Sequence, residues 1–234
     1  MLKEGELYFN NNTSINLNLF LEEYPSIPIA TEEYEEIPVE GRSGLYYINK
    51  GTYPDKIIPF TFTILSEDME IDFERVYEWL TEIQDNRMLF GRQDRCYVVK
   101  KILFENLKKE FKSIGEFEVT FICEPFTRDL DLISNIITST STLYYQGNAP
   151  SEPLFKIYGS GNVQIIVNGE TMVINDVDSY VEIDSNLMQV RNSDLTSKDD
   201  DTLGDFVLFE KGKNIISFVG TISKIIIEYY VRWK

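Results

Sequence analysis

The chain of 234 residues contains no histidine. This absence excludes the mechanisms that depend on imidazole, namely the Ser-His-Asp triad, the Cys-His pair and zinc sites with histidine ligands. Carboxylate pairs, Ser-Lys chemistry and metal-carboxylate sites remain open. The residue inventory therefore narrows the possible enzymatic chemistry without eliminating it.

Cysteine is nearly as scarce, with only Cys96 and Cys123. They lie 27 residues apart, in apolar segments that resemble strands. Two cysteines do not make a disulfide framework. We predict two buried, reduced thiols, with a disulfide bond as the less favoured interpretation.

Long apolar segments are also missing, because no stretch reaches the 18 apolar residues of a membrane-spanning helix. The first six residues, MLKEGE, are charged and lack the apolar core of a signal peptide. We expect no membrane insertion, and a protein that stays on the cytoplasmic side until another component moves it.

Basic residues are few, with 22 Lys and Arg against 39 Asp and Glu, a net charge of −17. Residues 1–130 hold 14 basic and 25 acidic residues, and the remainder holds 8 and 14, so both halves are acidic. Phosphates would be repelled, which argues against tight nucleic-acid binding. Solubility is the simplest reason for such a balance.

Apolar residues are abundant, at 43% of the chain, and most of them recur at every second position. This period is typical of strands with one face on a core. Pro59, within one such run, favours a sheet edge or a bulge at that point. The clearest runs are Ile15, Leu17, Leu19 and Leu21; Ile58, Phe60, Phe62 and Ile64; and Phe117, Val119, Phe121 and Cys123.

One segment has helical spacing instead, and we predict a helix from Ile71 to Asn86. Its early acidic residues and Arg87 near its end suit the helix dipole. Trp79 lies off the main stripe, where core packing at the stripe's edge is favoured over contact with a neighbouring molecule. The predicted stripe is Phe73, Val76, Tyr77, Leu80 and Ile83.

The segment from Glu22 to Glu40 holds seven glutamates, three prolines and no basic residue. Proline at this density indicates a solvated loop or an extended arm that reaches a neighbouring subunit. We place a domain boundary just after Glu124-Pro125, which gives domains 1–128 and 129–234. The polar run Thr138–Thr142 follows it, and we expect protease cleavage between Arg128 and Thr142.

The second half contains only strand and turn patterns. Asn168-Gly169 joins two alternating runs, which is a strong hairpin signal because both residues tolerate positive φ. Ser185-Asn186 is flanked in the same way by Tyr180–Asp184 and Leu187–Val190, and a long last strand carries Ile225, Ile227, Tyr229, Val231 and Trp233 on one face. These patterns predict a jelly-roll β-sandwich.

No candidate chemistry stands out from this background. Asp199-Asp200-Asp201 is a consecutive run whose ligands would diverge, so a solvated loop explains it better than calcium. Gly159-Ser160-Gly161 lacks the context of a phosphate-binding loop and is interpreted as turns. Aromatic residues that could stack a sugar are better explained by packing; they are Tyr144, Tyr145, Tyr229, Tyr230 and Trp233. We assign no catalytic, cofactor-binding or metal-binding residue and expect no cofactor.

The order and spacing of several short motifs resemble the distal tail protein family of long-tailed (siphovirus-type) phages. The second half resembles that family's galectin-like C-terminal domain. The motifs are Gly41-Arg42-Ser43-Gly44, Gly51-Thr52-Tyr53, Ile57–Leu65, Glu78-Trp79-Leu80, Arg95–Lys100, Phe117–Pro125, Glu152-Pro153, Ile157–Gly161, Ile165–Gly169, Tyr180–Ser185, Gly204-Asp205-Phe206, Gly212–Phe218, Gly220 and Arg232-Trp233.

The resemblance implies a non-enzymatic virion protein at the tail tip, assembled in the host cytoplasm. It implies a tail-tube-like N-terminal β-sandwich or split barrel with one packed helix, which forms a hexameric hub ring joining the tail tube to the baseplate and the host-adsorption apparatus. The implied partners are further copies of the chain, the tail tube protein, the tail-associated lysin or tail-spike hub, and receptor-binding proteins. Two alternatives remain: a related tail-tube or baseplate subunit of a prophage-derived particle, and a stand-alone carbohydrate-binding β-sandwich.

Overall fold

The computed structural model describes residues 2–104, 108–111 and 113–234, which are mainly β-strand, with one α-helix at Met69–Thr81. The predicted fold class, mainly β with one packed helix, is confirmed. The chain divides into two compact units, Met1–Thr127 with Lys234, and Arg128–Trp233. No helix in the described part of the chain is long and apolar enough to cross a membrane.

The first unit is built around a sheet whose neighbouring strands follow the order β8, β10, β6, β3, all antiparallel. β11 crosses the boundary between the two units. The strands are β1 (Tyr8–Phe9), β2 (Asn12–Thr13), β3 (Leu19–Leu21), β4 (Tyr34–Pro38), β5 (Leu45–Asn49), β6 (Lys56–Leu65), β7 (Arg87–Met88), β8 (Arg95–Phe104), β9 (Lys108–Phe111), β10 (Ile114–Cys123) and β11 (Thr127–Asp129).

The alternating residues of β6 and β10 form the core of this unit, as the period-two pattern predicts. The predicted inward set on each strand is buried, and Phe60 packs edge to face on Phe121 with ring centroids 5.6 Å apart. Pro59 opposes Thr120 on β10, while β3 pairs only with Phe62, Thr63 and Ile64 of β6. Pro59 therefore lies where β6 has no β3 partner, so its missing N–H breaks no ladder there.

The helix α1 spans Met69–Thr81, whereas the predicted helix spans Ile71–Asn86. It therefore begins two residues earlier and ends five residues earlier than predicted. The Asp68 side chain accepts a hydrogen bond from Ile71 N at 3.5 Å, which places the start two residues before the prediction. At the other end, Asn10 Nδ2 donates to the backbone oxygens of Trp79 and Glu82 at 2.9 and 3.0 Å. A side chain about 70 residues away in sequence thus occupies the carbonyls that a longer helix would have used.

The buried stripe of α1 also differs from the prediction. Val76 and Leu80 are buried as expected, but Tyr77 is exposed and Ile83 lies beyond the helix. Trp79 is buried instead, and its Nε1 donates to the Phe9 backbone oxygen at 2.6 Å. The favoured interpretation of Trp79, packing at the edge of the core, is confirmed.

Two further expectations for the first unit have clear outcomes. The run from Ile15 to Leu21 is not one strand, because Ile15–Leu17 forms a 3₁₀ turn that ends at Asn18 with φ 56°, and only Leu19–Leu21 is extended. Arg87 does not stabilise a helix end; it lies in β7 and binds Asp85. Cys96 and Cys123 are both buried and are not joined by a disulfide bond, as predicted.

The second unit is a sandwich in which two long, bent strands, β14 and β19, take part in both layers. One layer is β12, β19, β14, β16 and β17, and the other is β13, β19, β14, β15 and β18. The strands are β12 (Ile133–Ile137), β13 (Ser141–Tyr145), β14 (Leu154–Val167), β15 (Glu170–Val177), β16 (Tyr180–Asp184), β17 (Gln189–Asn192), β18 (Thr202–Leu203), β19 (Gly212–Tyr229) and β20 (Arg232–Trp233).

Both predicted hairpins of this unit form, but in the second the turn spans residues 185–188, so Leu187 and Met188 are turn residues and β17 begins at Gln189. The predicted last strand ends at Tyr229, and Val231 lies between it and β20. Asn168 and Gly169 have φ of 54° and 98° and join β14 to β15. Gly159-Ser160-Gly161, predicted as turns, lies within β14 where its pairing with β19 is interrupted by register shifts. The glycines serve a bend between the two layers, because a Cβ at Gly159 would lie 2.4 Å from the Thr221 backbone oxygen.

The polar run Thr138–Thr142 is not a flexible linker. It joins β12 to β13, which pair with different parts of β19 and so belong to different layers of the second unit. Thr142 itself is a strand residue opposite Ile215. The expected cleavage zone therefore overlaps two paired strands, because backbone hydrogen bonding to β19 orders a segment whose side chains carry no apolar pattern.

Candidate assembly surface

The most exposed secondary structure in the first unit is a hairpin of β4 and β5, called here the arm (Tyr34–Asn49). The acidic, proline-rich segment supplies its first strand. In the described part of the chain, β4 and β5 pair only with each other, as a separate two-stranded sheet. A lone two-stranded ribbon is marginally stable in water, so the arm is the kind of element that a partner surface would complete.

The arm carries apolar side chains in solvent on both of its faces. Tyr46 is 50% exposed and Tyr47 is 55% exposed. These two lie on opposite faces, because Tyr46 opposes Ile37 and Tyr47 opposes Glu36 in the ladder. Clustered apolar exposure of this kind marks interaction surfaces. The other large exposed apolar residues of the arm are Tyr34, Val39, Leu45 and Ile48.

The base of the arm is anchored by one carboxylate. Glu32 accepts hydrogen bonds from Tyr53 Oη at 2.8 Å, Asn49 Nδ2 at 2.5 Å and Tyr34 Oη at 3.2 Å. These bonds, led by the one from Tyr53, lower the pKa of Glu32. Both strands of the arm and the chain that follows β5 are thus tied to a single ionised group.

The tip of the arm requires glycine. Gly41 and Gly44 have φ of 78° and 84°, a region that other residues rarely adopt. Arg42 N donates to the Val39 oxygen at 3.1 Å, and the Arg42 guanidinium lies 5.9 Å from the centre of the Tyr46 ring. The Gly-Arg-Ser-Gly motif is therefore the turn that sets the arm's length.

The sequence identified part of this surface. Its proline and glutamate content predicted a loop or arm, but the prediction stopped at Glu40 and missed β5. The run Leu45-Tyr46-Tyr47-Ile48 between Gly44 and Asn49 was the available signal, since a short β-branched and aromatic run bounded by turn residues indicates a strand.

The aspartate run of the second unit has local structural roles. Asp199–Asp201 forms a 3₁₀ turn in which Asp199 Oδ1 accepts from Val190 N at 2.7 Å and Asp201 accepts from Lys198 Nζ at 2.6 Å. No group of three or more potential metal ligands occurs in the described ranges. The carboxylates therefore point to different partners around the turn.

The candidate sugar-stacking aromatics do not converge. Tyr145 and Tyr229 are buried in the core of the second unit, and Trp233 Nε1 donates to Asp129 Oδ1 at 2.7 Å. Arg128 lies 4.1 Å from the centre of the Tyr230 ring. Tyr144 is 72% exposed and is the one residue of the five in open solvent. Packing therefore accounts for most of this set.

A charged ladder crosses the outer face of one layer of the second unit. Lys156 Nζ binds Glu228 at 2.8 Å, and Arg191 binds Glu182 at 2.7 Å. Tyr180 Oη also donates to Glu182 at 3.1 Å, and burial is the main cause that raises the pKa of Tyr180. These groups satisfy one another, so the ladder is explained as cross-strand pairing.

Comparison with solved structures finds a similar fold that extends over nearly the whole chain. The structure of the SPP1 Dit protein, described as a paradigm of hub adsorption apparatus in phages that infect Gram-positive bacteria, aligns with a TM-score of 0.69 and 10% sequence identity. The alignment covers 96% of this chain and 97% of that one. No protein-family model and no curated protein sequence matches. At 10% identity the likeness shows the fold, and it extends across both units.

Proposed function

We propose that this chain is a non-enzymatic structural subunit at the distal end of a phage or prophage tail, where copies form a hub ring between the tail tube and the adsorption apparatus. The observation that carries the proposal is the likeness to SPP1 Dit across nearly the full length of both chains. A shared single domain would indicate little, because one fold hosts many functions. A shared arrangement of two different β units in one chain is more specific.

The arm supports assembly through the first unit. A ring repeats one head-to-tail contact, in which a feature of one copy meets a different feature of the next. The exposed tyrosines of the arm supply apolar and aromatic contact area of the kind enriched in interfaces. The edge backbone groups of β4 and β5 are also available to add a partner's strand.

The charge supports a conduit for DNA. A ring of six copies would carry about 6 × 17 = 102 formal negative charges, and an acidic lumen repels DNA phosphates so that a passing genome does not adhere. The ring size of six and the role of the second unit as a galectin-like outer domain belong to this proposal.

The test is to shorten the arm and measure assembly. Replacing residues 36–47 with Asn-Gly keeps the anchored base and restores a two-residue hairpin turn. We expect the unmodified chain to form a species near six times 27.2 kDa by mass photometry, or a ring at the tail tip by electron microscopy. The shortened chain should remain folded by circular dichroism and lose the ring.

Point variants provide the matched control. Tyr47→Ser on the arm should weaken assembly, whereas Tyr144→Ser removes an even more exposed tyrosine from the second unit and should leave assembly intact. A ring that survives the shortened arm would refute the arm's role. A stable dimer or trimer in the assembled tail, or a monomer that binds glycans on an array, would refute the hub function itself.

A further inference from the structure

A cavity of about 270 Å³ in the first unit is lined by several basic residues. Four cationic side chains line it, and no acidic residue does; the four are Lys56, Arg92, Arg95 and Lys234. The whole chain has 39 acidic residues against 22 basic ones. Basic residues are therefore enriched around this cavity relative to the chain as a whole.

Lys56 is the least expected member of this lining. It is 6% exposed, and its Nζ lies 6.0 Å from the centre of the Tyr97 ring. Among the described residues, no carboxylate and no hydrogen-bond acceptor acts on the pKa of Lys56, and the nearby group that does is the Cys123 thiol. Burial accordingly lowers the pKa of Lys56. A buried ammonium without a counterion destabilises a fold, and a bound anion would offset that penalty.

Both arginines lie near one carboxylate, Asp94, which does not itself line the cavity. Arg92 donates to both oxygens of Asp94, from Nε at 2.9 Å and from Nη2 at 2.6 Å, and Arg95 Nε lies 3.7 Å from Asp94 Oδ2. The bonds from Arg92 hold the pKa of Asp94 down at about 2. Asp94 therefore binds the Arg92 guanidinium through two hydrogen bonds and lies near the Arg95 guanidinium, whose planar set of N–H donors is of the kind that recognises a carboxylate.

Apart from Thr127, the rest of the lining is apolar and aromatic, including Ile29, Phe90 and Tyr97. Such a wall suits a ligand with a hydrocarbon part more than a bare inorganic anion. We propose that this cavity binds a carboxylate on a short hydrocarbon stem, as in a glutamate side chain or a small dicarboxylic acid, with Lys56 and Arg95 as its principal contacts. This site is independent of the ring proposed above.

The test is a calorimetric titration of the full chain with glutarate at constant ionic strength. We expect saturable binding, with the affinity reduced at least ten-fold in Lys56→Met and in Arg95→Gln. Lys100→Met is the matched control, because Lys100 is an exposed lysine paired with Asp55 outside the cavity. The affinity of this variant for glutarate should stay within about two-fold of that of the unmodified chain.

A stability measurement separates a binding role from a structural one. Lys56→Met should raise the thermal midpoint in the absence of ligand, because it removes a buried cation and keeps the side chain's volume. Glutarate should raise the midpoint of the unmodified chain and leave that of Lys56→Met unchanged. A lower midpoint for Lys56→Met without ligand would overturn the proposal, since Lys56 would then be a structural residue.

Two further ligands distinguish the source of the carboxylate. A peptide of residues 31–40, which is rich in glutamate, should bind at least ten-fold more tightly than glutarate if the natural ligand is an acidic polypeptide segment. Equal affinity would assign the site to a small acid. No saturable glutarate binding, or tighter binding of inorganic phosphate than of glutarate, would overturn the proposed ligand class.

Discussion

At the residue scale, buried polar atoms determine details that periodicity does not encode. Trp79 looked misplaced on a helical wheel, yet it is buried because its indole N–H reaches the Phe9 carbonyl. Asn10, in a two-residue turn with φ 44°, accepts and donates four hydrogen bonds to the end of α1 and the residues after it. The Trp79 and Asn10 side chains each pair with backbone groups that would otherwise lack a hydrogen-bond partner. In both cases the paired backbone group is far away in the sequence.

The Cys123 thiol makes stability depend on pH. Burial raises its pKa from an ordinary value of 9.0 to about 12. The folded state therefore retains a proton that the unfolded state releases above pH 9, so this contribution is fully present below pH 9 and is lost as pH rises towards 12. We expect the free energy of unfolding to fall by up to about 1.4 kcal/mol per pH unit through this group.

Comparison with Cys123→Ala isolates that contribution from buried tyrosines, whose pKa values are also raised. Urea unfolding measured from pH 8 to pH 10.5 should show a shallower loss for the variant than for the unmodified chain. Parallel curves would contradict the prediction. In the native chain at pH 8, thiol reagents should react slowly with both cysteines, and stoichiometrically after denaturation.

At the element scale, strands that change layers define the second unit. β14 and β19 are 14 and 18 residues long, and register shifts between them fall at Gly159 and at the segment after Ser160. A strand this long cannot stay in one flat layer of a small sandwich, so it bends where small residues allow close backbone approach.

Gly159→Ala tests this bend. The new Cβ would meet the Thr221 backbone oxygen at 2.4 Å and Ile222 Cα at 3.2 Å, so the paired backbones must separate. We expect a loss of about 1–3 kcal/mol in the free energy of unfolding, measured by urea denaturation. Ser160→Ala, at the exposed neighbouring position, should change it by less than about 0.5 kcal/mol.

At the scale of the whole molecule, the chain is two units joined at Thr127 and Arg128. We propose that these units are the functional domains, a ring-forming part and an outer sandwich. The segment between β11 and β12 is short, and Leu132 within it is exposed. The following strands are paired with β19 and so are protected from proteases, which require an extended, accessible backbone.

Limited proteolysis should therefore cut first at residues 130–132 and spare Thr138–Thr142. Mass spectrometry of the fragments under native conditions identifies the site. Two resistant fragments that begin and end near Leu132 are the expected result. An initial cut within Thr138–Thr142 would contradict the pairing of β12 and β13 with β19. An initial cut within the paired strands of either unit, away from residues 130–132, would contradict the division into domains.

Sequence pattern alone predicted the β class, the inward faces of β6 and β10, the Asn168-Gly169 hairpin and the burial of both cysteines. These are local properties: alternation selects one face of a strand, and positive φ selects Asn and Gly. The first strand of the arm was also predicted to lie in a solvent-exposed segment, because proline and glutamate disfavour a packed core.

Tertiary structure decided the rest. The end of α1 depends on Asn10, and the inclusion of Thr142 in a strand depends on β19. The cationic cavity likewise assembles residues from positions 27 to 234. In each case the partner is distant in the chain, and no local pattern of side chains specifies which distant backbone group or charge will be brought within hydrogen-bonding range.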